Sequence, residues 1–136
     1  MEVTMSKLPL ADALFLVNES RRTPMHVGGL HLFNLPDGVD DTRFLRSLSE
    51  ILRYSEDLRH PFDQRLKMGP LGALGPMSWE DDDQLDMDYH IRHSALPQPG
   101  RYLELFALVS RLHSTLLDRS RPLWEMHLIE GLQNRQ

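Results

Sequence analysis

The sequence contains no cysteine. This absence excludes disulfide frameworks, thiolate nucleophiles and cysteine-ligated zinc, and it fits a reducing compartment, so we expect a cytoplasmic protein. No run approaches the roughly 18 consecutive apolar residues that a membrane-spanning helix needs, so any membrane contact should be peripheral. Positive charge is sparse, because 15 lysine and arginine residues face 20 aspartate and glutamate residues, and the net charge is -5. Without a dense basic run, nucleic acid is not an expected partner.

The residues that are present favour a globular α/β chain. Its 136 residues are 40% hydrophobic, which is enough for one core and suits one domain or one half of a larger α/β unit. The spacing of apolar residues predicts helices over residues 8–20, 42–54 and 103–118. Strands or extended segments are predicted over residues 25–35, 61–68, 77–80 and 85–92, with a turn at 35–38 and a flexible loop over 69–76.

The last part of the sequence carries the most information. The block Arg121-Pro122-Leu123-Trp124 is typical of a loop that enters a half-buried strand, and Gly131 marks the turn after that strand. A strand with this much apolar surface needs partners on both sides, and the five residues after Gly131 cannot supply one. We therefore expect this chain to be a fragment of a longer protein.

A pair of glycines, Gly28 and Gly29, lies inside the predicted strand over residues 25–35. Glycine weakens a strand unless something approaches its backbone closely, so the pair predicts a bulge, a crowded sheet crossing or the wall of a ligand pocket. The pair lacks the third glycine and the flanking elements of a dinucleotide fingerprint. His26, two residues before it, is a candidate for a pocket wall, although a lone histidine in a strand is usually structural.

Other polar groups give weaker signals. His90 and His93 have metal-ligand spacing for a helix, but the alternating context predicts a strand with two surface or edge histidines. The acidic stretch at 81–83 lacks the glycine and the glutamate of a calcium loop, so it predicts a solvated turn and no metal site. Leu123 and Trp124 are more typical of a core than of a cofactor contact. No nucleophile, base and acid can be assembled from these residues alone.

Several motifs together resemble the bacterial wax ester synthase/acyl-CoA:diacylglycerol acyltransferase family. The resemblance covers essentially the whole chain, and the motifs occur in the family's order at family-like spacing. They are Pro9-Leu10-Ala11-Asp12-Ala13-Leu14-Phe15-Leu16, Pro24-Met25-His26-Val27-Gly28-Gly29-Leu30, Pro61-Phe62-Asp63-Gln64-Arg65-Leu66, Leu85-Asp86-Met87-Asp88-Tyr89-His90-Ile91-Arg92, Leu96-Pro97-Gln98-Pro99-Gly100 and Leu117-Asp118-Arg119-Ser120-Arg121-Pro122-Leu123-Trp124-Glu125.

The resemblance implies an α/β fold, the chloramphenicol-acetyltransferase-like fold of CoA-dependent acyltransferases. Residues 1–136 would be an incomplete acyltransferase domain that forms most of the N-terminal half. The family's catalytic signature, His-His-x-x-x-Asp-Gly, is absent here, since no two histidines are adjacent, and we expect it just after residue 136. None of the 7 histidines is therefore assigned the catalytic role, and this fragment alone should be inactive.

The function implied is an O-acyltransferase that moves a fatty acyl group from acyl-CoA to a long-chain alcohol or a diacylglycerol. The second signature histidine would act as the general base, and no cofactor is implied, because acyl-CoA is a substrate. The partner implied within the protein is its own C-terminal part. The resemblance also allows peripheral contact with the inner membrane or with lipid droplets. A non-catalytic binding or scaffolding module and a carrier-dependent condensation-type domain remain as alternatives. The residues implied to bind substrate or shape its tunnel are Met25, His26, Gly28, Gly29, Pro122, Leu123 and Trp124.

Overall fold

The computed structural model of the protein describes residues 6–58, 60–72 and 75–136. These residues form two compact units, each assembled from three stretches of the chain. The first unit takes its described residues from Met1–Val27, Asp57–Leu85 and Thr115–Trp124. The second takes them from Gly28–Glu56, Asp86–Ser114 and Glu125–Gln136.

The first unit contains a helix, α1 (Leu10–Asn18), and an antiparallel sheet. The strands are β1 (Ser6–Lys7), β2 (Gln64–Met68) and β3 (Met77–Asp81), with β3 in the centre. Pro9 stands at the N-cap of α1, and its carbonyl accepts the first helical hydrogen bond, from the backbone N–H of Ala13. The missing N–H of proline costs nothing there, which is why the helix begins just after it.

Charged side chains connect the outer face of β2 to β3. The carboxylate of Glu80 lies 2.8 Å from Lys67 Nζ and 3.2 Å from Arg65 Nη2. The hydrogen bond from Lys67, with the nearby positive charges of both side chains, holds the pKa of Glu80 below its usual range. Glu80 of β3 therefore stays ionised and forms ion pairs with Arg65 and Lys67 of the neighbouring strand β2.

The second unit contains α2 (Asp41–Arg53), α3 (Met87–His90), β4 (Ile91–Ala95), α4 (Tyr102–His113) and β5 (Met126–Glu130). The strands β4 and β5 are parallel, with Ile91 opposite Met126 and Ala95 opposite Glu130, and α2 packs against both strands. Asp40 caps α2, because its side chain accepts a hydrogen bond from the backbone N–H of Arg43 at 2.8 Å. Such an acceptor satisfies one of the free N–H groups at a helix start.

The core of the second unit lies where α4 packs beside the ends of the two strands. Leu96, Leu105 and Leu132 are buried together, and Ile129 of β5 packs against them. Gly100 lies at the edge of this cluster, and its carbonyl accepts a hydrogen bond of 2.7 Å from the N–H of Gln133. The chain segments that enter α4 and leave β5 are thereby fixed to each other.

Most predicted elements are confirmed with small shifts. The predicted helices over 8–20 and 42–54 correspond to α1 and α2, and the extended segments over 61–68 and 77–80 correspond to β2 and β3. The turn at 35–38 is present, and so is the half-buried strand after Trp124, which is β5. The predicted loop over 69–76 includes residues 73 and 74, which lie outside the described residues.

The strand predicted over residues 25–35 was wrong, because this segment has no regular secondary structure. Val27 is 93% exposed and Phe33 is 74% exposed, so the alternating apolar side chains are not covered by the described residues. Alternation of side chains is not sufficient for a strand, which is held by backbone hydrogen bonds to a neighbour. Gly28 and Gly29 add backbone freedom within the segment, which further weakens the extended state.

The strand predicted over residues 85–92 was also wrong in its first part. Asp86 accepts hydrogen bonds from the N–H groups of Asp88 and Tyr89, so it caps the single helical turn of α3, and β4 begins only at Ile91. His90 is consequently not an edge histidine, because only 1% of it is exposed. Local capping by a short acidic side chain overrides strand periodicity here.

Helix α4 ends at His113, before the predicted end near Asp118. Ser114 is the C-cap residue, and its hydroxyl donates a hydrogen bond to the carbonyl of Arg111 at 3.0 Å. A serine hydroxyl that bonds its own backbone competes with continuation of the helix. The apolar residues Leu116 and Leu117 continue the helical spacing in the sequence, but they belong to the loop that follows.

Candidate functional site

Two loops of the first unit meet at the carboxylate of Glu19, which lies directly after α1. Its Oε2 accepts a hydrogen bond of 3.1 Å from the backbone N–H of Met25 and lies 3.9 Å from His26 Nδ1. Its Oε1 lies 3.1 Å from Arg119 Nη2, and the Glu19 side chain is only 7% exposed. A carboxylate so far removed from water is stable only where its oxygens are paired, and here both are.

Arg119 supplies the positive charge at this point from a distant part of the sequence. Its Nη2 donates to the carbonyl of Leu16 at 2.6 Å as well as to Glu19. Leu16 lies in the last turn of α1, where carbonyls have no partner within the helix and the helix dipole is negative. Arg119 thus donates a hydrogen bond to a free carbonyl at the end of α1. Its positive charge also balances the Glu19 carboxylate, which the negative end of the helix dipole would otherwise destabilise.

Arg119 is followed by a turn that Asp118 shapes. The Asp118 carboxylate accepts hydrogen bonds from the Ser120 hydroxyl at 2.7 Å and from the Ser120 N–H at 2.9 Å. These two bonds, together with the charge of Arg121, lower the pKa of Asp118. Because the folded pKa is depressed, this contribution to stability is present above the usual aspartate pKa and is lost as the pH falls through the folded value.

The Pro-Leu-Trp block is fastened to the segment that enters β2. Pro122 is buried and forms an isolated antiparallel bridge with Arg65. Trp124 Nε1 donates to the carbonyl of Phe62 at 2.6 Å, and the two rings meet edge to face with centroids 5.8 Å apart. Leu123, between them, is half-buried. This packing agrees with the core interpretation of Leu123 and Trp124, and their contact with substrate stays a prediction.

We expect Trp124→Phe to lower the free energy of unfolding by about 1 kcal/mol, because the ring contact with Phe62 survives while its carbonyl loses a donor. Urea denaturation of the full-length protein measures this difference. Tyr54→Phe is the matched control, since Tyr54 is 86% exposed and should change the value by less than about 0.5 kcal/mol. Equal stability of both variants would show that the bond to Phe62 contributes nothing.

The glycine pair belongs to the second unit, whereas Met25 and His26 belong to the first. A Cβ on Gly28 would lie 3.1 Å from Cδ2 of His113, the last residue of α4. A Cβ on Gly29 would lie 3.3 Å from His31 Nε2. The close approach expected from the pair is therefore real at Gly28, where the neighbour is a side chain on a helix, and a role in lining a tunnel stays a prediction.

The histidines of β4 and β5 lie beside carboxylates. His127 Nε2 lies 3.0 Å from Glu125, which also receives Arg92 at 3.4 Å. His93 Nε2 lies 3.2 Å from Glu130, and all of these side chains are half-buried. These contacts link polar side chains on and beside the two-stranded sheet of β4 and β5.

The predicted site residues separate into two groups. Met25, His26, Pro122, Leu123 and Trp124 share the first unit, and Gly28 and Gly29 lie in the second. The sequence analysis missed the residues that connect the first group, Glu19 and Arg119. One signal was available for Glu19, because a glutamate directly after an apolar helix opposes the helix dipole and needs a cation nearby.

Of the acidic stretch at 81–83, Asp81 ends β3, and only the residues after it belong to the predicted turn. Asp82 accepts a hydrogen bond from the N–H of Gln84 at 3.0 Å. Across the described ranges, no three histidine, aspartate or glutamate side chains are grouped so that they could hold a metal ion. Among the helices within those ranges, none is long and apolar enough to cross a membrane.

Comparison with protein families gives a match over nearly all of the chain. The model of the wax ester synthase/diacylglycerol acyltransferase catalytic domain matches residues 8–136. The probable diacylglycerol O-acyltransferase tgs2 of Mycobacterium tuberculosis is 47% identical over 124 residues, which are 90% of this chain and 27% of that protein. The O-acyltransferase WSD of Acinetobacter baylyi is 43% identical over 126 residues, which are 92% of this chain and 26% of that protein.

A solved structure is also similar. The wax ester synthase/diacylglycerol acyltransferase from Marinobacter aquaeolei VT8 superposes with a TM-score of 0.84 at 47% sequence identity, covering 96% of this chain and 32% of that one. The α/β fold class predicted from the sequence, the chloramphenicol-acetyltransferase-like acyltransferase fold, is thereby confirmed. The chain spans about a quarter of the length of the curated relatives it matches, at 27% and 26% of two of them.

Proposed function

The chain belongs to the wax ester synthase/diacylglycerol acyltransferase family, and from this membership we propose that it forms part of an O-acyltransferase. The enzyme would move a fatty acyl group from acyl-CoA to a long-chain alcohol or to a diacylglycerol. The observation that carries this proposal is the family match over residues 8–136. The two curated relatives described above are both named O-acyltransferases, which supports the reaction class.

The chemistry proposed is direct acyl transfer. The acceptor hydroxyl attacks the thioester carbonyl, its proton passes to a general base, and the CoA thiolate leaves. A histidine suits this base, since its ordinary pKa lies near neutral pH. We place the base in a His-His-x-x-x-Asp-Gly signature after residue 136. Three histidines of this chain, His26, His93 and His127, lie beside glutamates, which is compatible with a structural role here.

This chain would supply scaffold and pocket wall. Pro122, Leu123 and Trp124 would fix the approach to β5, and their buried bridge and indole hydrogen bond support that role. Met25, His26, Gly28 and Gly29 would line or shape the acyl tunnel. The close approach of His113 to Gly28 supports a shaping role for the glycine. Peripheral contact with a membrane or a lipid droplet stays a prediction.

Gly28→Val in the full-length enzyme should shift the preference for acyl-chain length and lower acyl-transfer activity. The first added carbon would already lie 3.1 Å from the His113 ring, so the branched side chain must displace that ring or enter the adjacent space. Rates with acyl-CoA substrates of different chain length measure the effect. Adding His113→Ala removes the clash, and a preference that stays shifted in the double variant identifies the tunnel wall. An unchanged preference in Gly28→Val would count against the assignment.

The proposed function is tested by incubating the full-length protein with palmitoyl-CoA and either hexadecanol or dipalmitoylglycerol. Released CoA is detected with a thiol reagent, and the ester product is identified by mass spectrometry. We expect acceptor-dependent CoA release with a matching ester. A folded protein that binds palmitoyl-CoA without releasing CoA for either acceptor would contradict the proposal and favour the non-catalytic binding module. Transfer only from an acyl carrier protein would favour the condensation-type domain.

A further inference from the structure

The Glu19 carboxylate joins three segments that are distant in sequence or differ in structure. One is the end of α1, the second is the irregular segment that carries Met25 and His26, and the third is the loop at Arg119 that leads to Trp124. The third is separated from Glu19 by 100 residues. A single buried side chain therefore sets the relative position of the two loops on which the sequence analysis placed pocket residues.

The pairing leaves little freedom to these loops. Oε1 is occupied by the Arg119 guanidinium, whose Nη2 also holds the carbonyl of Leu16 at 2.6 Å. Oε2 is occupied by the N–H of Met25, with the His26 ring 3.9 Å away. The side chains of Glu19 and His26 are 7% and 15% exposed, so water competes weakly for these contacts. A charge-assisted hydrogen bond in such surroundings is stronger than a neutral one.

An ion pair that served only the stability of α1 would not need the second oxygen. The N–H of Met25 and the His26 ring add nothing to the helix end, which Arg119 already satisfies through Leu16. The hydrogen bond from the N–H of Met25 to Oε2 fixes the backbone of the Met25-His26 segment against the Arg119 loop, with the His26 ring beside the same oxygen. This is the arrangement expected of groups that must hold a pocket wall within a fraction of an ångström.

We infer that Glu19 is a positioning residue of the acyltransferase site, acting together with Arg119 on Met25 and His26. The inference rests on the proposed function. Glu19 would touch neither substrate nor reacting atoms. It would hold the Met25-His26 wall in the orientation that places the bound acyl group for attack, so its loss should lower kcat more than it weakens acyl-CoA binding.

The test uses Glu19→Gln in the full-length enzyme. Arg119 and the N–H of Met25 bind different oxygens of Glu19, so an amide held in the same position places its NH2 group opposite one of these two donors. We expect kcat for acyl transfer to fall about 10- to 100-fold, with a much smaller change in KM for acyl-CoA. The exposed Glu50 of α2 provides the matched control, Glu50→Gln, which should retain the kcat of the wild type.

A second variant separates positioning from stability. Glu19→Met combined with Arg119→Met replaces the ion pair by apolar groups of similar length, which often restores stability lost by removing one partner. We expect its Tm to exceed that of Glu19→Gln while its kcat stays low, because the N–H of Met25 still lacks its acceptor. Recovery of kcat together with Tm would show a merely structural pair and overturn the inference.

The outcomes for the two proposals differ. An active wild type with an equally active Glu19→Gln variant would overturn the positioning role and leave the proposed function intact. A folded wild type without acyl transfer would overturn the proposed function, and the positioning role would fall with it. If Glu19→Gln does not fold, the kcat and Tm of the double methionine variant are compared with those of the wild type, and a wild-type kcat in the double variant would overturn the positioning role.

Discussion

Gly100→Ala should destabilise the full-length protein by about 4 kcal/mol or more, the largest effect that we expect from any single methyl group in this chain. A Cβ at this position would overlap the carbonyl oxygen of Gly131, which is backbone and cannot turn away. Gly100 also has a φ of +73°, a conformation that costs other residues about 1–2 kcal/mol. Its neighbour Leu132 belongs to the buried cluster of the second unit, and Gly131 lies against Leu96 of the same cluster, so relief of the overlap must disturb that core.

Gly38→Ala is the matched control for this prediction. Gly38 has a φ of +76°, close to that of Gly100, but a Cβ there would meet no atom within 4 Å. Only the conformational cost of about 1–2 kcal/mol should remain. The difference between the two variants in urea denaturation isolates the collision with Gly131, and similar losses of stability would contradict this account of the core edge.

Leu105→Ala should lower the free energy of unfolding by about 3 kcal/mol, because it removes buried methyl groups and leaves a cavity. Leu105 is 2% exposed and belongs to the buried cluster with Leu96 and Leu132. Residues of α4 and of the end of β5 pack against this cluster, so the neighbouring side chains can fill the cavity only in part. Thermal or urea denaturation of the full-length protein measures the loss.

The same helix provides the control for Leu105. Leu103 is 68% exposed, so Leu103→Ala exchanges one good helix former for another and should change stability by less than about 0.5 kcal/mol. If the two variants were equally stable, the cluster around Leu105 would not be a stabilising core. If both were strongly destabilised, the outer face of α4 would be covered in the full-length protein.

The helices could be predicted from the sequence because their signals are local. In α2, apolar residues recur at three- and four-residue spacing, and Asp40 supplies the cap, so both the face and the start of the helix are encoded nearby. The strand expected over residues 25–35 depended instead on a neighbour, which periodicity cannot supply. The helical turn α3 was missed because the two hydrogen bonds accepted by Asp86 outweigh the alternation around it.

The candidate site shows the same division between local and distant signals. Pro122 and Trp124 were identified by an unusual local block, and the structure explains that block by a bridge to Arg65 and a hydrogen bond to Phe62. The pairing of Glu19 with Arg119 could not be predicted, because nothing near Glu19 in the sequence indicates a partner 100 residues later. Family resemblance identified the family, which the comparison confirms, and three-dimensional contacts identified the residue that joins the two loops.

We propose that this chain provides scaffold and pocket wall for an acyltransferase whose catalytic base lies in sequence after residue 136. Intact-mass analysis and peptide mapping of the protein purified from its source decide whether that base is present. We expect peptides that continue beyond Gln136 and contain a His-His-x-x-x-Asp-Gly sequence. A protein that catalyses acyl transfer while its complete peptide map lacks that sequence would overturn this proposal, because the base would then have to lie elsewhere.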